Sequence, residues 1–225
     1  MFSDEFMLTQ AVLECRKTQT RRLLTLTLHK KADRGNALIE VSPSKVFFED
    51  GKWKFVYDDY VFLLPKENYP KYRVGEVVAV AQSYEAISNA ISKTESKEKA
   101  AFYCKVMKAC FPDAIIHKDK EEIAGWYNKM FTRAELMPHQ IRITDVRVER
   151  LQDISDDDCL KEGIVESLCE GKDNQYRVCY YAFNGTLPFC TPREAFAHLI
   201  NKVIRKDVWE ENPYVFVYDF ELVKR

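Results

Sequence analysis

The sequence predicts an α+β fold, a small β-barrel or curled sheet with flanking helices, and three observations carry the prediction. Residues 140–151 (Gln-Ile-Arg-Ile-Thr-Asp-Val-Arg-Val-Glu-Arg-Leu) alternate apolar and polar over a dozen positions, the period of a long half-buried strand. Residues 214–222 (Tyr-Val-Phe-Val-Tyr-Asp-Phe-Glu-Leu) form a second such run behind the stop signal Asn212-Pro213. Lys45–Glu49 and Lys52–Tyr57 flank Asp50-Gly51, a two-residue hairpin turn. Helical patterns fall between these strands without the strand–helix–strand rhythm of a parallel sheet.

In chain order, Ser3 or Asp4 is placed to cap a first helix with Phe6, Met7, Val12 and Leu13 on its apolar face, and Arg16-Lys17 near its C-terminal end suit its dipole. Residues 24–28 alternate as a strand, and Gly35-Asn36 signals a turn. Residues 74–81 follow a glycine-punctuated start and read as a short buried strand. From 84 to 130 the composition changes to helix formers, broken at Pro112-Asp113, with Phe102, Ile115, Ile116 and Trp126 to bury; a mainly helical insertion is expected at about 84–136 within a single domain spanning 1–225. Ser155 and Asp158 form a capping-box pattern for a short helix ending at Gly163, and Thr191-Pro-Arg-Glu194 opens another that runs to about residue 204.

Composition narrows the classes of function. The chain has 225 residues, 46% hydrophobic and 31% charged, with a net charge of −1, so it is long enough for a substantial core and carries no bulk attraction for nucleic acid or acidic lipid. Binding to RNA would rest on a local patch. Seven cysteines (15, 104, 110, 159, 169, 179, 190) include no CxxC pair, and Asp4 and Glu5 stand where a signal peptide needs basic residues. The expectation is a cytoplasmic protein with free thiols, no membrane segment, no cofactor and no metal, since the four histidines show no ligand spacing.

The densest chemistry lies in Lys17-Thr18-Gln19-Thr20-Arg21-Arg22, read as a basic turn. One residue at a time, surface charge and backbone satisfaction account for it. Together they do not, because neighbouring cations repel, while guanidinium forks and turn N–H groups suit phosphate or carboxylate. Glu162, just before Gly163, carries a negative charge at the unfavourable end of a helix, and a partner such as Lys17 would explain it; a desolvated lysine beside a carboxylate is a candidate base. The aromatics of 214–220 read as core at period two, with Trp209 outside that alternation.

These residues resemble the ASCH domain family, PUA-like β-barrels, in its phage and prophage branch. The turn at 17–22 is similar to the family's GxKTxTRR signature, Val74-Gly-Glu-Val-Val to its glycine–acidic–strand element, Met137-Pro138 with 143–164 to its central strand and acidic helix, and Asn212 to Phe220 to its terminal NPxVWVYxF strand. The resemblance implies a nucleoside- or RNA-binding cleft. In a small bacterial branch it implies hydrolysis of the amide of N4-acetylcytidine, with Lys17 as base, Thr20 as nucleophile or holder of the attacking water, and Glu162 orienting Lys17. Thr18, Arg21, Arg22, Gln82 and Arg142 are the expected ligand-binding residues, with Arg147 a further phosphate contact. Where the phage-type proteins carry Trp-Val-Arg-Glu, this chain has Ala79-Val80-Ala81-Gln82. Three readings stand: a hydrolase of a modified nucleoside, a non-catalytic RNA- or nucleotide-binding module, and a cleft for a protein partner.

Overall fold

The structure is a computed structural model that describes residues 2–32, 35–92, 124–170, 175–182 and 187–223; of 27–32, 35–40 and 91–92 it describes the backbone alone. It is α+β, with a curled antiparallel sheet at its centre. In that sheet the order is β1 (Gln19–Leu23), β12 (Tyr214–Val223), β8 (Gln140–Arg150), β7 (Val77–Ala79). The two long alternating runs of the sequence are thus neighbours, paired from Tyr214↔Arg150 to Val223↔Gln140, with a register shift at Asp219/Phe220. Such an irregularity bends a strand and increases its twist.

The hairpin of β4 (Lys45–Glu49) and β5 (Lys52–Tyr57) forms as expected, with Asp50 and Gly51 both at positive φ, and β6 (Tyr60–Leu63) extends it into a meander. β2 (Leu26–Ala32) pairs with β3 (Gly35–Val41), so Gly35-Asn36 opens a strand rather than forming the turn. β9 (Val165–Glu170), β10 (Tyr176–Tyr181) and β11 (Pro188–Phe189) make a third small sheet.

Two cores result. One joins Phe55 and Val46 of the meander with Ile141, Ile143, Phe216, Tyr218 and Phe220 of the central sheet. The other packs α3 (Asp156–Lys161) and α4 (Pro192–Ile204) against the far face through Leu151, Ile154, Cys159, Phe196 and Leu199, with Val215 and Val217 of β12. β12 sits between them because its alternating side chains feed both. Trp209 packs half-buried against the second core, edge-on to Phe196 at 6.1 Å.

Several expectations change. The first helix, α1 (Leu8–Leu13), begins at Met7 in the left-handed region, not at a Ser3 or Asp4 cap. The run at 74–81 contributes only the three-residue β7, at the sheet edge, where Val77 is exposed. Of the insertion expected at about 84–136, α2 (Tyr84–Ser92) is a helix, 124–136 is turns and short 3-10 segments, and 93–123 lies outside the described residues. Its ends meet: the N–H groups of Tyr84 and Glu85 donate to the carbonyls of Gly125 and Trp126 at 3.0 and 3.1 Å. Gly125, at φ +90°, is required there, since a Cβ would lie 2.8 Å from the buried Tyr84 ring.

The free-thiol expectation is corrected at Cys169 and Cys179, which the structure joins in a disulfide. Antiparallel pairing of β9 with β10 makes them diagonal neighbours, 6.1 Å apart at Cα, within bridging reach. Cys15, Cys159 and Cys190 are free; Cys104 and Cys110 lie outside the described residues. Among the described residues no helix is long and apolar enough to cross a membrane.

Candidate active site

The segment at 17–22 is not one turn. Lys17 and Thr18 are a connector, and Gln19–Leu23 is strand β1, paired to β12 from Gln19↔Asp219 to Leu23↔Val215. Period two therefore sorts the polar side chains onto two faces. Gln19 and Arg21 go inward and are buried, while Thr20 is half-buried and Arg22 exposed on the other face. The backbone of this segment is thus an edge strand of the sheet, not a turn of convergent N–H groups.

Lys17 is placed by backbone bonds on both sides. Its own N–H donates to the Ala11 carbonyl at the end of α1 at 3.0 Å, and the next N–H, that of Thr18, donates to the Lys161 carbonyl at the end of α3 at 2.9 Å. Thr18 then accepts from Phe220 N–H through its own carbonyl at 2.8 Å, so this residue works as a backbone latch.

The Lys17 ammonium arrives at the C-terminus of α3. That helix is opened by Ser155, whose hydroxyl accepts from Asp158 N–H at 3.1 Å, with three aspartates in its first turn. It ends at Glu162, and Gly163 at φ +103° turns the chain away. A last-turn carbonyl has no partner within its helix. Lys17 Nζ supplies one, at 2.8 Å from the Glu162 carbonyl, and also bonds the Glu162 carboxylate through Oε2. This resolves the misplaced negative charge: Glu162 sits at the wrong end of the dipole but between two cations.

The second cation is Arg21. Its guanidinium donates to Glu162 Oε1 at 3.1 Å, to Glu149 Oε1 at 2.6 Å and to Asp158 at 3.3 Å, with Gln19 Oε1 at 2.5 Å. Arg147 closes the array on Asp158 at 2.7 Å and on Asp219, while Gln19 Nε2 donates to Asp219 at 2.6 Å. Arg21 and Arg147 are thereby committed to internal carboxylates. They tie the site together, and Arg21 also lines the cavity beside it. The side chains of Lys17, Arg21 and Glu162 are all at most 5% exposed. Burial lowers the Lys17 pKa from its ordinary value; Glu162 pulls it back up, and Arg22 and Arg21 push it further down. A buried lysine so placed sheds a proton more readily than one in water.

Beside this pair lies a cavity of about 720 Å³, lined by Lys17, Thr20, Arg22 and Glu162 among others. Residues 127–130, the exit of the 84–136 excursion, supply part of its wall, and Lys129 fixes that wall through an ion pair to Asp4 at 2.7 Å and a hydrogen bond to Thr9 Oγ1 at 2.9 Å. Thr20 and Arg22 also line an adjoining cavity of about 200 Å³ with Lys71, Tyr72 and Tyr218. Thr20 thus stands where two compartments adjoin. Among the described residues no hydrogen bond joins its hydroxyl to Lys17.

The remaining expected ligand residues lie elsewhere. Gln82 is buried and bonded to His139 at 2.8 Å, and Arg142 pairs with Glu221 at 3.0 Å on the outer face of the sheet; neither lines this cavity. The sequence reading missed Gln19, Glu149, Asp158 and Lys129. Gln19 had a signal, its period-two relation to Lys17 and Arg21; the others join the site only through sheet register and the fold of the excursion. Among the described residues no group of His, Cys, Asp or Glu is arranged to hold a metal. Comparison of the chain with family models, curated proteins and solved structures returned no match.

Proposed function

We propose that this chain is an ASCH-type, PUA-like amidohydrolase that cleaves an N-acylated nucleobase or a similar small amide. The observation that supports it most is the convergence of Lys17 and Glu162, distant in sequence, as a buried pair on a cavity that Thr20 also lines. A structural ion pair needs no cavity beside it. A base whose pKa is brought down by burial does, because its proton must reach a substrate.

The roles follow from contacts. The ammonium has three protons; Glu162 takes two, through its carboxylate and its carbonyl, which aims the third position. When Lys17 is neutral, that position carries the lone pair. Thr20 lines the same cavity from the other face of β1, and its hydroxyl is assigned to hold the attacking water. Lys17 takes a proton from this water as its oxygen attacks the amide carbon, then passes that proton to the departing nitrogen as the C–N bond breaks. The products are an amine and a carboxylic acid, which gives up its proton to water to become a carboxylate. Arg21 holds the Glu162 carboxylate in place through Oε1.

The test is hydrolysis of N4-acylated cytidine followed by ultraviolet absorbance. Turnover in the wild-type protein and its loss in Lys17→Ala are expected. Wild-type turnover no higher than that of the variant would remove the reading, leaving the cleft as a binding site.

A further inference from the structure

The main cavity has two unlike walls. Lys17, Glu162, Thr20 and Arg22 form the polar one. The other is apolar: Phe196, Leu199, Ile200 and Val203, spaced i, i+3, i+4, i+7 along α4, with Phe2 and Leu8. A stripe at that spacing is one helix face. On α4 its residues belong to the second core, but they also line open volume next to the reacting pair.

We propose, resting on the hydrolase reading above, that the acyl half of the substrate is an apolar chain or ring larger than acetyl, seated along the Phe196–Val203 stripe of α4. At about 720 Å³ the cavity falls within the range of whole small-molecule sites, and a lone methyl would fill little of it. The amine half then extends past Thr20 into the 200 Å³ compartment, where Tyr72 and Tyr218 offer aromatic walls and Arg22 and Lys71 positive charge. An acyl chain filling the first compartment also excludes water from Lys17, whose depressed pKa already reflects burial there.

The experiment has two arms. In the first, N4-acetyl-, butanoyl-, hexanoyl- and benzoylcytidine are compared as substrates. The value of kcat/KM is expected to rise about threefold to fourfold per added methylene until the compartment is full. In the second, the product carboxylates acetate, butanoate and hexanoate are titrated onto the same protein by calorimetry, with affinity rising in the same sense. Val203→Phe, which narrows the compartment, is expected to lower the hexanoyl-to-acetyl ratio of kcat/KM. A series flat in both arms, or best for acetyl, overturns the proposal and leaves the hydrolase intact. Chain-length-dependent carboxylate binding with no turnover of any amide supports the apolar subsite and overturns the hydrolase.

Discussion

Replacing Glu162 by glutamine changes almost no volume but removes the one charge lying between Lys17 and Arg21. Both cations have side chains at most 2% exposed. Removing one partner of a buried pair costs about 3–5 kcal/mol. Here the lower end applies, since Lys17 keeps the main-chain carbonyl at 2.8 Å and Arg21 keeps Glu149 and Asp158. A loss of about 3 kcal/mol moves the urea midpoint down by about 1–1.5 M at the slope of a chain this size.

The dependence on pH is the sharper readout. Without the carboxylate, the folded-state pKa of Lys17, already below 10.5, falls further. Between that value and the unfolded one the unfolded chain binds more protons, so stability rises with pH, at up to about 1.4 kcal/mol per unit for one proton. The deficit relative to wild type is therefore greatest near neutrality and shrinks as pH approaches 10.5. Urea unfolding of both proteins across that window measures it. A deficit under about 0.5 kcal/mol, or one constant with pH, refutes the description of Lys17 as a desolvated ammonium held by Glu162.

Four other outcomes are expected. Thr20→Val keeps the shape and β-propensity of its strand position, so the unfolding free energy stays within about 1 kcal/mol of wild type while amide hydrolysis falls by about 100-fold or more. Arg21→Met leaves Glu162, Glu149 and Asp158 sharing fewer cations and costs about 3 kcal/mol or more, read by thermal or urea unfolding. Gly163→Ala meets no clash, its Cβ falling 3.7 Å from that of Lys17, but φ +103° strains any other residue by about 1–3 kcal/mol; activity should fall with stability because the same turn aims Glu162. Alkylation mapped by mass spectrometry on the native protein should label exposed Cys15 and Cys190, spare Cys159, whose thiol burial pushes up to about 12, and reach Cys169 and Cys179 only after reduction.

The sequence by itself determined the parts whose causes are local. The hairpin across Asp50-Gly51, the long strands β8 and β12, the caps at Ser155 and Thr191 and the stop at Gly163 each rest on residues within a few positions of one another, and each formed where its pattern lay. Lys17 and Glu162 could be named as candidates because their charges are unusual for their places in the chain, and Thr20 only through the family resemblance. Tertiary structure decided the rest. Whether 17–22 is a turn or a strand depends on β12, whose ladder captures Gln19–Leu23 and thereby sends Arg21 inward and Arg22 outward. One residue of register would exchange those roles. The meeting of Lys17 with Glu162 spans 145 positions and needs the ends of α1 and α3 to be docked side by side. The cavity needs more still: the stripe of α4, and the exit of an excursion whose ends are closed at Gly125 and Trp126. Local propensity sets what each segment can be, but the faces it buries are chosen by its neighbours in space, and a site is made of such faces.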